Sequence, residues 1–191
     1  MKYIILLFIT IMLAFGTEWA KYRKLFEVKC GKWRWDVKTL QDSDTSKINF
    51  TDTVKTSIES LSGIIPPLGK HLTRSKMESV LYSVSGLLVA FKREDDGDIH
   101  VILKDELTNK TIVCELPCPD CSGNTSFVTT FKRGAIWFED NIGIPTERFQ
   151  YPKNIHLTVI GLPFFDYEHG SKWEAGNGLE IHPCLKISIT K

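Results

Sequence analysis

Residues 79–104 read SVLYSVSGLLVAFKREDDGDIHVILK, two runs rich in β-branched and aromatic residues joined by an acidic turn. Such side chains favour extended backbone, and Gly97 in the polar turn permits a sharp reversal between two strands. The stretch therefore predicts a β-hairpin with strands over residues 79–92 and 99–104.

Three later segments have the same strand-like composition, at residues 111–116, 154–162 and 179–190. Turn residues separate them, and the chain has no internal repeat or low-complexity linker. Five or six strands with one or two helices suit a small barrel or sandwich. We predict a β-rich fold, an OB-like barrel of five strands, with an unrelated α+β sheet as the alternative.

Two segments outside these strands carry helical signals. Residues 51–64 place Val54, Ile58 and Leu61 at helical spacing behind a polar pair suited to capping, which predicts one amphipathic helix. Residues 127–139 fit either a helix or a strand.

The amino terminus has the pattern of a secretory signal. Lys2 precedes an apolar run from Ile4 to Phe15, which is shorter than the roughly 20 residues that span a bilayer. We predict a signal peptide over residues 1–20 and one domain over residues 21–191, with an uncleaved anchor as the alternative. The mature chain would be secreted, periplasmic or extracellular, without a stable membrane span.

Positive and negative charges are nearly balanced, with 24 Lys and Arg against 23 Asp and Glu. Proteins that bind polyanions through their overall charge are much more basic than this. A nucleic-acid partner would therefore need a local patch of positive charge.

The chain has five cysteines, an odd number that would leave at least one thiol unpaired in an oxidising compartment. The spacing Cys-Pro-Asp-Cys predicts a disulfide between Cys118 and Cys121. Half of a zinc site is the alternative for this pair, although a second such pair is missing.

The first candidate site is the acidic turn of the hairpin, EDDGDIH at residues 94–100. Side chains alternate along extended backbone, so Asp98 and His100 are expected on one face. A carboxylate beside an imidazole suits metal ligation, or a histidine that acts as a general base. A solvated acidic turn is the alternative.

A second polar set lies near the carboxy terminus, in FFDYEHG at residues 164–170 and NGLEIHP at residues 177–183. Alternation in the last strand would place Glu180, His182 and Cys184 on one face. If this face meets the hairpin, one pocket gathers His100, His169, His182, Asp98, Asp166 and Glu180. The alternative is that these side chains make ordinary turn and interstrand hydrogen bonds.

Aromatic and basic residues are interleaved near the predicted mature amino terminus, in WRWDVK at residues 33–38. The pattern suits stacking against a polyanion. An amino-terminal strand that packs its tryptophans against the barrel explains the same residues, and we expect the strand.

The ordered motifs DGDIH, ELPCPDC, GLPFFDYEHG and NGLEIHP give the chain a resemblance to a known group. Over roughly residues 78–190 it resembles largely uncharacterised, mostly bacterial exported proteins with an ExDGDxH element and an FFDxxHG…NGxExHP ending. This resemblance implies common ancestry and no particular activity.

Asp96-Gly97-Asp98 followed by Glu115-Leu116-Pro117 also resembles, faintly, the staphylococcal-type nucleases, which build their site on an OB barrel. That resemblance implies that Asp98 and Glu115 are metal-binding carboxylates. The arginine that precedes the second acidic element in those nucleases has no counterpart at residues 111–114, and the histidines depart from their pattern.

Two functions follow from these features. One is a metal-dependent phosphodiester hydrolase with His100, His182 and His169 as catalytic candidates, and with Ca²⁺, Mg²⁺ or Zn²⁺ held by Asp98, Glu115, Asp166 and Glu180. The other is a non-catalytic module that binds nucleic acid, an oligosaccharide or a protein partner through the barrel face and its aromatic residues, Trp33, Trp35, Trp137 and Trp173.

Overall fold

A computed structural model describes residues 28–68, 73–166, 173 and 175–190. The predicted signal peptide lies outside the described residues. None of the helices in the described ranges is long and apolar enough to cross a membrane.

The described chain contains three α-helices and six strands. In order these are α1 (Trp35–Lys38), β1 (Thr53–Lys55), α2 (Ile58–Ser62), β2 (Leu81–Arg93), β3 (Ile99–Lys104), β4 (Thr111–Leu116), α3 (Val128–Asn141), β5 (His156–Phe165) and β6 (Leu179–Ile189). Short 3-10 helices cover Ser43–Lys47, Met77–Ser79 and Pro119–Cys121.

Strands β2 to β6 close into a five-stranded mixed barrel. Strand β2 pairs antiparallel with both β3 and β5, β3 pairs with β4, and β5 pairs with β6, while β4 and β6 are parallel. Helix α3 connects β4 to β5, and β1 adds outside the ring, parallel to β2. The predicted β-rich, OB-like barrel is confirmed.

Strand β2 is long because it serves two neighbours in succession. Residues 82–87 pair with β5, and residues 87–93 pair with β3. At the change of partner, a Cβ on Gly86 would lie 2.9 Å from the carbonyl oxygen of Lys104 and 2.8 Å from Ile58 Cδ1. Glycine at this corner therefore lets the strand approach its neighbour closely.

The core fills the barrel and extends under the helices. Helix α3 turns Phe131, Ala135 and Phe138 inward, at spacings of four and three residues. This pattern places segment 127–139 in a helix, because a strand would turn residues 131 and 138 to opposite faces.

The predicted helix over residues 51–64 is wrong in its first half. Thr53–Lys55 pairs with β2 as strand β1, and Val54 is exposed. The helix begins only after Ser57, whose hydroxyl accepts a hydrogen bond from the backbone N–H of Ser60. Ile58 and Leu61 are buried as the helical spacing required.

The predicted disulfide between Cys118 and Cys121 is also wrong, because Cys121 is bonded to Cys30. The Cys118 sulfur lies against the acidic turn, where a Cβ on Gly97 would be 2.8 Å from it. The two neighbouring cysteines therefore face different parts of the chain.

The amino-terminal segment is not the expected strand. Residues 35–38 form one helical turn, and Arg34 before it has a left-handed backbone with φ of 45°. Trp35 Nε1 donates a hydrogen bond to the carbonyl oxygen of Cys121 at 2.8 Å. Together with the disulfide, this bond fixes the segment against the turn that follows β4.

Candidate functional site

The site lies where the acidic turn, β4 and β6 meet at one end of the barrel. His100 on β3 lies directly opposite Glu115 on β4. The single β4–β6 register pair, Cys114 with Ile181, brings Glu180 and His182 beside Glu115. Pairing between strands that are distant in sequence thus assembles the cluster.

Asp98, Glu115 and His182 form the inner part of this cluster. Asp98 and His182 are fully buried, and the Glu115 side chain is 9% exposed. One ligand atom from each of the three residues lies within 4.8 Å of the other two. This buried triad could hold a metal ion.

Asp98 and His182 each have one polar atom without a hydrogen bond. Asp98 Oδ1 accepts a hydrogen bond from the backbone N–H of Cys118 at 2.6 Å. Its other oxygen, Oδ2, lies 3.3 Å from His182 Nε2, and neither atom has a hydrogen-bond partner among the described residues. Buried polar atoms are rarely left this way.

The other nitrogen of His182 faces carboxylates. His182 Nδ1 lies 3.1 Å from Glu180 Oε1, within hydrogen-bonding distance, and 3.8 Å from Glu115 Oε2. Glu180 therefore orients the imidazole ring from the side opposite Asp98.

A second histidine contacts the other oxygen of Glu115. His100 Nδ1 lies 2.5 Å from Glu115 Oε1 and 3.3 Å from Glu94 Oε1. Phe149 packs edge-on against its ring, with the centroids 6.0 Å apart. Glu94, His100 and Glu115 form a second group with metal-ligand spacing. Glu94 belongs to the acidic turn predicted as a candidate site but was not among the predicted metal ligands.

Lys38, from α1, is a site residue that the sequence reasoning missed. Its Nζ lies 2.7 Å from Asp166 Oδ2 and 3.6 Å from Glu180 Oε1. It also lies 4.8 Å from the centroid of the Phe164 ring. The only local signal was the interleaved segment 33–38, which does not indicate these distant partners.

Burial and pairing shift the pKa values within the cluster. Burial raises the pKa of Asp98. Burial by itself would also raise the pKa of Glu115, but the hydrogen bond and charge of His100 lower it to about 2. Burial and the nearby Lys38 lower the pKa of His182, yet the Asp98 and Glu180 carboxylates raise it to about 9.

Burial also disfavours the charged form of groups at the edges of the cluster. It raises the pKa of Asp96 to about 7, with a further contribution from the Asp98 carboxylate. For Lys38 burial acts downwards, but the carboxylates of Glu180 and Glu115 outweigh it and raise its pKa. Lys38 is therefore a permanent positive charge at neutral pH.

The cluster opens into a cleft of about 610 Å³. Six carboxylates and three lysines line this cleft: Glu94, Asp95, Asp96, Glu115, Asp166 and Glu180, with Lys29, Lys38 and Lys92. Of the described residues that line it, Phe149 is the only aromatic one. The tryptophans expected to form a stacking surface therefore lie elsewhere.

No protein-family model matches the chain, and no curated protein is significantly similar to it in sequence.

The structure brings together most of the residues chosen from the sequence. Asp98, His100, Glu115, Glu180 and His182 converge, and Asp166 joins them through Lys38. His169 lies outside the described residues.

Cys184 was expected beside Glu180 and His182, but it packs in the main core. The register between β5 and β6 shifts around Gly161 and Pro163, which reverses the alternation of β6 after His182.

Proposed function

We propose that this chain is an exported, divalent-cation-dependent hydrolase of phosphodiesters. The observation that carries the proposal is the buried pair Asp98 Oδ2 and His182 Nε2 beside Glu115, which lie 3.3 Å apart and make no hydrogen bond within the described residues. An ion bound between them would be ligated by both atoms and would adjoin the cleft through Glu115, which lines it.

The charge of the cleft supports a cation requirement. Carboxylates outnumber lysines two to one among its lining residues, so an anionic substrate would be repelled without an added positive charge. A divalent cation supplies that charge, polarises a phosphoryl oxygen and lowers the pKa of bound water.

The remaining residues fit roles in hydrolysis. Glu115 holds Nδ1 of His100, which fixes the ring at the cleft and leaves Nε2 to accept a proton from an attacking water. Lys38 and Lys92 line the same cleft, where each is paired with a carboxylate, and would contact phosphate oxygens by exchanging that partner. Lys38 would thus supply positive charge where the nuclease-like pattern lacks its arginine.

Export is supported by the disulfide between Cys30 and Cys121. Disulfides form and persist in oxidising compartments and are rare in the cytosol. The signal-like amino terminus predicts the same location.

A cleavage assay tests the proposed activity. Purified mature chain would be incubated with DNA, RNA and bis-p-nitrophenyl phosphate, each with and without added divalent cations. We expect cation-dependent cleavage, and a decrease in kcat of about 100-fold or more in His100→Gln, the usual contribution of a general base.

His156→Gln is the matched control, because His156 also contacts a glutamate, Glu106, at 2.7 Å but lies exposed on another face. It should retain full activity. Absence of cleavage across substrates and cations would rule out the hydrolase, and equal kcat in both variants would rule out His100 as its general base.

A non-catalytic binding module is the second candidate. Lys38, His100 and His182 already contact carboxylates of the cluster, so its charges are partly compensated without an ion. This candidate predicts that a ligand binds saturably and that no product forms. Tryptophan fluorescence would measure the binding.

A further inference from the structure

The contacts of Glu180 define which nitrogen of His182 carries its proton. An ionised carboxylate only accepts hydrogen bonds, so the His182 Nδ1 that faces Glu180 Oε1 must be the donor. In the neutral ring Nε2 then carries a lone pair, directed at the side where Asp98 Oδ2 lies. A metal ion bound there would replace the Nε2 proton of the imidazolium, which faces the Asp98 carboxylate in the ion-free chain.

We propose that His182 Nε2, Asp98 Oδ2 and a Glu115 oxygen bind a zinc-class transition-metal ion in preference to Mg²⁺ or Ca²⁺. Any catalytic role of this ion rests on the proposed function. The inference deepens that function by naming the class of cation. The binding itself stands on the geometry of the three side chains.

The distance between the first two ligand atoms fits a tetrahedral ion. Zinc binds nitrogen and carboxylate oxygen at about 2.0 to 2.1 Å, which places two tetrahedral ligands about 3.3 to 3.4 Å apart. The observed separation of Nε2 and Oδ2 is 3.3 Å. Two neighbouring ligands of octahedral Mg²⁺ at similar bond lengths would lie about 2.9 Å apart.

The donor set and its surroundings also disfavour the hard cations. Ca²⁺ takes about six to eight oxygen ligands, and Mg²⁺ keeps several waters, whereas an imidazole suits zinc, cobalt or iron. Asp98 can bind through one oxygen only, because Oδ1 is held by the Cys118 N–H. Asp98 and His182 are fully buried, so an ion held by them would keep few of its waters on that side.

Three protein ligands leave a tetrahedral ion one further position. Glu115 is the member of the triad that reaches the cleft, so the fourth position would open on that side. This is the arrangement of catalytic rather than structural zinc sites, in which water or substrate takes the fourth position.

An outer layer holds the ligands in place. Glu180 orients His182, and Lys38 in turn pairs with Glu180 at 3.6 Å. Glu180 is thus a positioning residue in this proposal and not a ligand, unlike the expectation from the sequence. Such outer partners usually contribute about 10- to 100-fold to metal affinity.

Metal binding to the purified full mature chain, stripped with a chelator, tests the inference. Zn²⁺, Co²⁺, Mg²⁺ and Ca²⁺ would each be titrated by calorimetry, and Co²⁺ also by its visible absorption, which is intense only in tetrahedral sites. We expect one Zn²⁺ per chain, bound at least about 100-fold more tightly than Mg²⁺ or Ca²⁺.

Variants separate this site from adventitious binding. Asp98→Asn keeps the oxygen that Cys118 contacts and should weaken Zn²⁺ binding by about 100-fold or more, whereas Glu180→Gln should weaken it by about 10- to 100-fold. Glu106→Gln, in the exposed glutamate–histidine pair, should bind Zn²⁺ as the unchanged chain does. Circular dichroism would show that each variant is folded.

The outcomes distinguish this inference from the proposed function. Tight Zn²⁺ binding without hydrolysis would leave the metal site standing and remove the hydrolase. Hydrolysis with Mg²⁺ alone, no tetrahedral Co²⁺ spectrum, or equal Zn²⁺ affinity in Asp98→Asn would overturn the inference.

Discussion

Arg34 binds Glu78 through two parallel hydrogen bonds, Nη1 to Oε1 at 2.8 Å and Nη2 to Oε2 at 2.9 Å. Both side chains are almost fully buried. Glu78 also accepts hydrogen bonds from the backbone N–H groups of Ser75 and Phe165. This ion pair joins the amino-terminal segment to β5 close to Lys38 and the candidate site.

Glu78→Gln should destabilise the protein, because it leaves the buried Arg34 guanidinium without a charged partner. Breaking a buried ion pair from one side costs about 3–5 kcal/mol. Urea denaturation at pH 7 measures the change in the free energy of unfolding. Asp44→Asn is the control, because Asp44 pairs with Lys47 at the surface. The free energy of unfolding of this variant should equal that of the unchanged chain.

The same pair should make stability depend on pH in the acid range. Burial raises the pKa of Glu78, but the hydrogen bonds from Arg34 and the backbone lower it below its ordinary value. The unfolded chain therefore binds this proton at higher pH than the folded chain does. The contribution of ionised Glu78 to the free energy of unfolding is complete above the pKa of glutamate in the unfolded chain, about 4.3. It is lost as pH falls through the lower pKa of Glu78 in the folded chain.

Urea denaturation of the unchanged chain and of Glu78→Gln between pH 7 and pH 3 checks this dependence. The difference in unfolding free energy should shrink as pH falls below about 4. A difference that stays constant, or grows towards pH 3, would contradict the assigned direction of the shift.

Peptide mapping without reduction should find Cys30 linked to Cys121, with Cys114, Cys118 and Cys184 alkylated after unfolding. Cys30→Ser should lower stability by about 2–5 kcal/mol, because the disulfide closes a long loop and constrains the unfolded chain. Recovery of a Cys118–Cys121 peptide from folded protein would disprove this pairing.

Gly86→Ala should destabilise the corner of the barrel by about 1–3 kcal/mol, because the new Cβ would press on Ile58 and on the backbone of Lys104. Gly176→Ala is the matched substitution, since a Cβ there meets no heavy atom within 4 Å. Thermal unfolding of both variants would show the contrast. Equal melting temperatures would indicate that β2 and β3 are further apart at this corner.

The site illustrates how far sequence reasoning reached. Asp98 and His100 are two residues apart, so their proximity followed from the hairpin alone. Their approach to His182 depends on the parallel pairing of β4 with β6, which no local pattern specifies. Lys38 was missed for the same reason, because its partners Asp166 and Glu180 come from the far end of the chain.

The five barrel strands could be predicted from local sequence, because each one buries apolar side chains and is rich in β-branched and aromatic residues. The secondary structure of residues 51–64 could not be predicted in the same way. Helical spacing over the whole segment competed there with strand pairing at Thr53–Lys55. Three features became visible only in the folded chain: the disulfide partner of Cys121, the bulge that turns Cys184 inward and the meeting of two polar faces. Each of these depends on which distant segments pack together, and that choice is made by the summed contacts of the whole fold rather than by neighbouring residues.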